Sequence, residues 1–287
     1  MQEKRKYPIF QISVFAVLAL LVIAFFYIAK NGNKPKEEAE EKLETAQISV
    51  EPTQTINPDN LTWPNNQTVS ASILMYHHIG PLPQDADDIR RGLTVSSENF
   101  DSQMKYLKEN GYNVLTMKEM YVLVAQSKLP EKAVILTFDD GYQDNYLYAE
   151  PVLENYGFKA TFNIITDDIG QAEYMTPEEV IALSKKGHEL ASHTVSHPSL
   201  EQLSGDALMS ELVDSKSALE KMTADKVITL CYPAGKYDAE VEAAAKSAGY
   251  KMAITTVASK GTFSTSRPYE ISRYRINPTT QLDSLIK

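Results

Sequence analysis

Cysteine is almost absent from this sequence: Cys231 is the only one in 287 residues. A single cysteine excludes an intramolecular disulfide and a zinc cluster built from thiolates, so the fold must depend on its hydrophobic core. Basic residues are also few, with 28 Lys and Arg against 38 Asp and Glu and a formal net charge of -10. Compact domains that bind nucleic acid carry basic stripes, so we expect no nucleic acid partner.

Long apolar runs are absent except near the amino terminus. Residues 9–29 carry no charge and are long enough to span a bilayer as a helix. Lys4, Arg5 and Lys6 precede them, which predicts a cytoplasmic amino terminus and a single-pass membrane protein whose remainder is extracytoplasmic. The alternative is a cleaved signal peptide, but the apolar core of such peptides is usually shorter. The length favours an uncleaved membrane anchor.

The composition divides the chain into three parts. Residues 1–30 form the predicted cytoplasmic amino terminus and transmembrane anchor. Residues 31–70 are rich in Lys, Glu, Asn, Thr and Pro, which is typical of a flexible linker outside the cytoplasm. Residues 71–287 show the apolar patterns of a globular domain, and their length suits one domain with a large core.

Strands and helices alternate along the globular part. Helix boundaries are indicated by two possible capping boxes, Thr116 with Glu119 and Thr176 with Glu179. Alternation of this kind predicts a parallel sheet, and the number of units favours an α/β fold with a (β/α) barrel, complete or incomplete, over an open doubly wound sheet. The predicted strands are residues 73–76, 134–138, 160–165, 188–191, 227–232 and 251–255.

Asp139 and Asp140 directly follow the predicted strand 134–138, and Gly141 comes next. Active sites of β/α barrels lie at the carboxyl ends of the strands. Adjacent carboxylates repel each other unless a cation or hydrogen bonds compensate. A simple Asp-Asp-Gly turn also explains these three residues. The residues at the ends of neighbouring strands are therefore needed to distinguish a turn from a metal or catalytic site.

His193 and His197 follow the predicted strand 188–191. Two histidines four positions apart can converge on one metal if the segment makes a helical turn. Such a pair is often only structural. Together with a carboxylate from the neighbouring strand end, however, it forms a two-histidine, one-carboxylate set that leaves positions open for water and substrate.

These two segments resemble the first two motifs of the polysaccharide deacetylases of carbohydrate esterase family four. The stretches are Thr-Phe-Asp-Asp-Gly-Tyr at 137–142 and Gly-His-Glu-Leu-Ala-Ser-His-Thr-Val-Ser-His-Pro at 187–198. The resemblance covers residues 72–277 and implies a distorted β/α barrel. It implies that Asp139 is the general base and that Asp140, His193 and His197 are the metal ligands. His188 lies outside the ligand pattern.

Residues 228–235 occupy the place of the family's third motif, with Cys231 where arginine is usual. That arginine commonly pairs with the base, so its replacement puts the orientation of Asp139 in question. Tyr232, Pro233 and Gly235 suit a wall of the substrate groove, and a backbone amide near Ala234 could donate to an oxyanion. A plain Pro-Gly loop after a strand is the alternative.

Residues 75–79 and 272–277 resemble a permuted subgroup of the family, typified by de-N-acetylases of poly-N-acetylglucosamine. The histidine of the family's late motif has no match, because no histidine follows His197. In the permuted subgroup the general acid is the histidine after the tyrosine, which corresponds to His77. Arg273 or Arg275 could supply the guanidinium missing from the third motif.

The resemblance implies metal-dependent hydrolysis of N-acetyl groups from an amino-sugar polymer, either poly-N-acetylglucosamine or peptidoglycan. Zn²⁺ suits the two imidazoles best, although Co²⁺, Ni²⁺ or Mn²⁺ also accept this donor set. Two other functions use the same residues: an esterase that removes O-acetyl groups from xylan-like chains, and a glycan-binding wall protein impaired in catalysis by the altered third motif. Intact residues in the first two motifs argue against the second.

Overall fold

The structure is a computed structural model that describes residues 57–286. The predicted anchor at 9–29, the rest of 1–30 and most of the predicted linker therefore lie outside the described residues. Among residues 57–286, no helix combines the length and the apolar character needed to cross a bilayer.

The chain alternates short strands with helices, as expected. The strands are β1 (Thr68–Ser70), β2 (Ser72–Tyr76), β3 (His78–Ile79), β4 (Thr94–Val95), β5 (Asn113–Leu115), β6 (Ala133–Phe138), β7 (Thr161–Ile164), β8 (Glu189–Ser192), β9 (Thr229–Cys231), β10 (Met252–Ala258), β11 (Thr262–Ser264) and β12 (Ile271–Arg275). The α-helices are α1 (Asp88–Leu93), α2 (Ser97–Glu109), α3 (Met117–Ala125), α4 (Glu150–Tyr156), α5 (Pro177–Lys185), α6 (Gly205–Thr223), α7 (Ala239–Ser247) and α8 (Leu282–Leu285). Both capping boxes, before α3 and before α5, are confirmed.

Seven parallel strands close into a barrel in the order β2, β12, β10, β9, β8, β7 and β6, with β6 pairing back to β2. This confirms the predicted barrel and excludes the open sheet. The barrel is distorted at β6, whose first half pairs with the short strand β5 and whose second half pairs with β7. The carboxyl ends of all seven strands therefore meet at one rim, where the predicted site residues lie.

Alternate residues of each strand face two separate cores. Leu74, Leu136 and Phe138 pack in one buried cluster with helical residues such as Leu107 and Leu183. Their strand neighbours, including Ile73, Ile135, Cys231, Ile254 and Ile271, belong to a second cluster inside the barrel. Because successive side chains point to opposite faces of a strand, Thr137, Asp139 and Arg273 continue the interior rows towards the rim.

Helix α3 closes the other end of the barrel. Its first amides donate to the Oγ1 atom of Thr161, at 2.9 Å, and to the Oε2 atom of Glu189, at 2.7 Å. The hydroxyls of Thr161 and Thr229 also donate to the buried Glu189 carboxylate. These three residues begin β7, β8 and β9, so α3 covers the amino-terminal end of the barrel and leaves the carboxyl-terminal rim open.

Residues 57–70 pack against the same closed end. The Trp63 ring contacts the rings of Tyr121 and Phe263, and its Nε1 atom donates to the Tyr121 carbonyl oxygen at 3.0 Å. Strand β1 pairs antiparallel with β11, and Asp59 lies 3.7 Å from the ammonium of Lys251. The linker boundary predicted at residue 70 thus falls inside folded chain. The polar composition of this stretch hid its few anchoring side chains.

Candidate active site

Asp139 and Asp140 lie at the carboxyl end of β6, where the chain turns sharply. Asp140 has a φ of 76°, a left-handed conformation that is uncommon for residues other than glycine. Gly141 follows with a φ of 83°, and a Cβ atom there would lie 3.3 Å from the Ile164 side chain. The turn therefore directs the Asp139 side chain into the barrel and the Asp140 side chain towards the histidines after β8.

The side chains of Asp140, His193 and His197 form a compact group of three metal-binding atoms. The Oδ1 atom of Asp140 lies 3.3 Å from His193 Nε2 and 3.8 Å from His197 Nε2. All three donor atoms lie within 4.8 Å of one another. The other nitrogen of His193, Nδ1, lies 2.8 Å from the carbonyl oxygen of Cys231, a backbone contact that typically fixes the orientation of a metal-ligating imidazole.

The segment between the two histidines is a bent loop, and the two imidazoles converge without a helical turn. Thr194 and His197 both have left-handed φ values, 71° and 57°. The Glu211 carboxylate of α6 accepts hydrogen bonds from the amides of Val195 and Ser196 and from the Ser196 hydroxyl. Uncommon backbone conformations at both Asp140 and His197, held by the surrounding structure, are typical of functional sites.

The donor set fits a divalent cation. The group supplies one carboxylate oxygen and two imidazole nitrogens. Three such donors leave coordination positions open for water and substrate, as in other two-histidine, one-carboxylate sites. Zn²⁺, Co²⁺, Ni²⁺ and Mn²⁺ all accept such donors. A second group of close donor atoms, from Asp139, His193 and Cys231, is less suitable because the Asp139 carboxylate is already engaged by Arg273.

Arg273 reaches Asp139 from β12, inside the barrel. Its Nη1 atom donates to Asp139 Oδ1 and its Nη2 atom to Asp139 Oδ2, both at 2.7 Å. The remaining donors bind the Thr255 carbonyl, the Thr137 hydroxyl and the Cys231 sulfur. Every donor of this fully buried guanidinium has an acceptor. Arg275 is exposed and, within residues 57–286, forms no ion pair.

The Asp139 carboxylate is held ionised. Burial alone would raise its pKa, but the charge and hydrogen bonds of Arg273 outweigh burial and hold the pKa well below its usual range. Asn163 on β7 also donates to Oδ1, at 2.6 Å. The Oδ2 atom is the one that faces His77.

His77 lies just after β2, the strand between β6 and β12 in the barrel. Its Nε2 atom is 4.0 Å from Asp139 Oδ2. Its Nδ1 atom is buried and has no hydrogen-bond partner among the described residues. Burial lowers the pKa of the ring, against the opposing charges of Asp139 and Asp140. The amide of Asn145 donates to the His77 carbonyl oxygen at 2.7 Å and fixes this stretch of backbone.

His78 points away from Asp139. Its ring lies 3.6 Å from the Tyr142 ring, and its Nδ1 atom is 2.7 Å from the Asp144 carboxylate, which also accepts from Arg90. The side chain is buried, with a polar partner outside the metal-binding group. Of the two adjacent histidines, only His77 faces the Asp139 carboxylate.

The turn after β9 is a 3-10 helix, Pro233–Gly235, in which Ala234 is left-handed with a φ of 52°. Gly235 packs so closely on β10 that a Cβ atom would lie 2.5 Å from the Thr256 amide nitrogen. Tyr232 differs from expectation, because its ring stacks on Tyr237 in the core and is fully buried. Its side chain therefore forms no wall of an open groove.

His188 is buried away from these residues. Its Nδ1 atom accepts a hydrogen bond from the Ala160 amide at 3.2 Å, and its ring packs edge-on against Phe162. This position agrees with its exclusion from the expected ligand set.

A closed barrel with paired carboxylates after one strand and two histidines after a strand two places along the sheet defines a class of hydrolytic site. The family model for polysaccharide deacetylase matches residues 126–253. A Bacillus subtilis (strain 168) protein named as a polysaccharide deacetylase, YxkH, is 35% identical over 252 residues. These residues cover 86% of each chain. The chain belongs to the polysaccharide deacetylase family and is a hydrolase.

Two further relatives are also deacetylases. The Streptococcus pyogenes deacetylase PplD, solved in complex with acetate, superimposes with a TM-score of 0.70 at 33% identity, covering 76% of this chain and 97% of that one. A poly-beta-1,6-N-acetyl-D-glucosamine N-deacetylase of Staphylococcus aureus (strain MSSA476) is 27% identical over 201 residues, 65% of this chain and 69% of the relative.

Proposed function

We propose that this enzyme hydrolyses N-acetyl groups of an amino-sugar polymer, poly-N-acetylglucosamine or peptidoglycan, and releases acetate. One observation carries the proposal: the Asp139 carboxylate and the His77 imidazole face each other at 4.0 Å beside the group formed by Asp140, His193 and His197. A base and an acid next to three metal-binding atoms meet the needs of amide hydrolysis. The name of the staphylococcal relative supports the choice of an amino-sugar polymer.

Asp139 serves as the general base. Arg273 keeps its carboxylate ionised, and the carboxylate therefore accepts the proton of an attacking water. Its Oδ1 atom accepts from both Asn163 and Arg273. Within residues 57–286, Oδ2 accepts only from Arg273, and it faces His77. We assign proton transfer to Oδ2.

His77 serves as the general acid. An amine leaves poorly unless it is protonated, and the Nε2 atom of His77 lies 4.0 Å from the Oδ2 atom of the proposed base. The side-chain amide of Asn145 holds the backbone of His77 in place. The backbone amide near Ala234, in the turn after β9, is our assignment for the donor to the developing oxyanion.

Asp140, His193 and His197 would hold a divalent cation, with Zn²⁺ as our first choice. When bound, such a cation lowers the pKa of water and polarises the acetyl carbonyl group. The Cys231 carbonyl oxygen orients the His193 ring. The Glu211 carboxylate holds the loop that carries His197. These contacts hold the donor atoms in place before any ligand arrives.

We also propose that residues 9–29 anchor the enzyme in the cell membrane with its catalytic domain outside the cytoplasm. The uncharged run and the basic flank at Lys4, Arg5 and Lys6 support this. An amino-sugar polymer outside the membrane would then be within reach of a domain on a tether.

Acetate release tests the proposal. The full-length chain, purified in detergent and loaded with Zn²⁺, is incubated with β-1,6-linked N-acetylglucosamine oligomers, peptidoglycan and O-acetylated xylan. Acetate from either amino-sugar substrate, with the Asp139→Asn variant as a blank, is the expected result. Release from xylan alone would make the enzyme an O-acetyl esterase. Binding to glycans without acetate release would make the chain a glycan-binding protein and contradict the proposal.

A further inference from the structure

A buried side-chain amide on β7, the strand beside β6, contacts the proposed base. Asn163 is fully buried inside the barrel, and its Nδ2 atom lies 2.6 Å from Asp139 Oδ1. An ionised carboxylate can only accept hydrogen bonds, so the amide must present its NH₂ group to Asp139. The direction of the Asn163 side chain is therefore fixed by its partner.

The orientation of the Asn163 amide leaves one of its two polar atoms unsatisfied. With the NH₂ group turned to Asp139, the Oδ1 atom of Asn163 is buried and has no hydrogen-bond partner among the described residues. Leaving a buried acceptor unsatisfied is unfavourable, and an apolar residue of similar shape would avoid the loss. We therefore expect the contact between Asn163 and Asp139 to serve activity rather than stability.

The contact distinguishes the two oxygens of Asp139. The Oδ1 atom accepts from both Asn163 and Arg273, at 2.6 and 2.7 Å. Among the residues that the structure describes, the Oδ2 atom accepts only from Arg273, and it lies towards His77. Asn163 and Arg273 donate to this carboxylate from two different strands, β7 and β12. Together they restrict its rotation about the Cβ–Cγ bond of Asp139 more than Arg273 alone would.

We infer that Asn163 is a positioning residue, which directs the Oδ2 atom of Asp139 at the attacking water. The inference rests on the proposed function, since it assumes that Asp139 is the base. A small misplacement of a catalytic group lowers turnover steeply without weakening substrate binding. Asn163 acts through Asp139 and touches no substrate.

The test compares Asn163→Leu with the wild-type full-length enzyme on the amino-sugar oligomers. Asn163→Leu keeps the approximate shape, removes the donor and removes the unsatisfied oxygen. We expect kcat to fall about 10- to 100-fold, the effect of losing a hydrogen bond to a charged group. KM and the bound metal per chain should stay unchanged, and the midpoint of thermal unfolding should not fall.

Two further variants separate positioning from packing. Asn163→Asp keeps the shape but turns an oxygen towards the carboxylate, so kcat should fall at least as far as in Asn163→Leu. Thr161→Val alters the same strand two residues earlier, at the closed end of the barrel, and should lower stability while kcat stays within about twofold.

Near-normal kcat in Asn163→Leu, while the wild type releases acetate, would overturn the inference and leave the proposed function intact. An equal loss of kcat in Thr161→Val would overturn it too, because any disturbance of β7 would then suffice. A wild type that releases no acetate from amino-sugar substrates would instead contradict the proposed function.

Discussion

Arg273 on the last barrel strand binds the Asp139 carboxylate through both Nη atoms at 2.7 Å, although 134 residues separate the two in sequence. In the family motif that residues 228–235 resemble, arginine occupies the place of Cys231. Here the Cys231 sulfur accepts a hydrogen bond from Arg273 at 3.3 Å. The guanidinium thus reaches the carboxylate from β12, and a small side chain on β9 leaves room for it.

Removal of this guanidinium should cost much stability. We expect Arg273→Leu to lower the free energy of unfolding by about 3–5 kcal/mol, since it leaves the buried Asp139 charge without its partner. Arg273→Lys keeps the charge but loses the two-point contact, so its loss should be smaller. Urea unfolding measures both, with the exposed Arg275→Lys as the control, expected within about 0.5 kcal/mol of wild type. Equal losses at 273 and 275 would contradict the structural role of the pair.

Metal binding should depend on His193 and His197. His193→Ala and His197→Ala should each lose bound Zn²⁺ and acetate release, because each removes one of three donor atoms. His188→Ala, which removes a buried histidine outside the group, is the matched control and should keep its metal. Elemental analysis of the purified chains gives the metal content. Unchanged metal in both ligand variants would refute the ligand set.

Asp139→Asn should behave differently from the ligand variants. We expect the metal to be retained and turnover to be lost, because the substitution removes a base rather than a ligand. Acetate release and metal content are measured on the same preparation. Loss of metal here, with retention in Asp140→Asn, would mean that the roles of the two aspartates are reversed.

The general acid assignment is tested by the two adjacent histidines. His77→Ala should lower turnover by about 10²–10⁴-fold with metal content intact. His78→Ala should mainly lower stability, because the buried His78 ring packs on Tyr142 and pairs with Asp144. Its turnover per folded, metal-loaded chain should change much less. A His77→Ala enzyme with near-normal turnover would mean that the proton comes from another group or from water.

His188 should make stability depend on pH. Burial lowers the pKa of its ring to about 3, from an ordinary value of 6.5 in the unfolded chain. Between these values the unfolded chain binds a proton that the folded chain does not, so stability is full above pH 6.5 and decreases as the pH falls towards 3. The loss is about 5 kcal/mol at most.

The contribution of His188 is isolated by comparison with His188→Gln, whose amide oxygen can still accept from the Ala160 amide. Urea unfolding of both proteins at several pH values between 3.5 and 7.5 gives the difference in slope. The wild type should lose more stability than the variant as the pH falls. Parallel curves would exclude His188 as the source.

The uncharged run at residues 9–29 should attach the protein to membranes. Full-length protein should sediment with membranes, and protease added outside intact cells should reach the catalytic domain, because residues 9–29 form an uncharged run behind a basic flank. A chain shortened to begin at residue 31 is the control and should not sediment. Recovery of a released product from the full-length gene would favour cleavage over anchoring.

The sequence was sufficient for the barrel and for the residues at two of its strand ends. The strands 134–138 and 188–191 are apolar runs, and motif residues follow each directly. The paired capping residues around α3 and α5 are local signals, and both could be predicted because they depend on only four residues each.

Strand β12 could not be predicted in the same way. Its alternation of Ser272, Arg273, Tyr274 and Arg275 is typical of a strand with a solvated face. The interior position of Arg273 depends on acceptors supplied by Thr137, Asp139 and Thr255 from other strands. Such a pairing depends on the tertiary fold, which is why the sequence left Arg273 and Arg275 as equal alternatives.

Asn163 could not be identified from the sequence either. It lies within the mainly apolar run 160–165, and no local pattern distinguishes it from other polar residues in strands. The left-handed loop between His193 and His197 was hidden for a related reason. Its shape depends on Glu211 of α6, which lies 14 residues beyond His197 and shows no local pattern.

Asp59 lies beside the closed end of the barrel, 3.7 Å from Lys251 just before β10, whereas His77, Asp139 and the metal-binding group lie at the opposite rim. Immobilising residues 57–287 through a tag placed directly before residue 57 should therefore leave the rim accessible. An enzyme coupled to beads in this way should deacetylate high-molecular-weight polymer and short oligomers in the same ratio as the free enzyme.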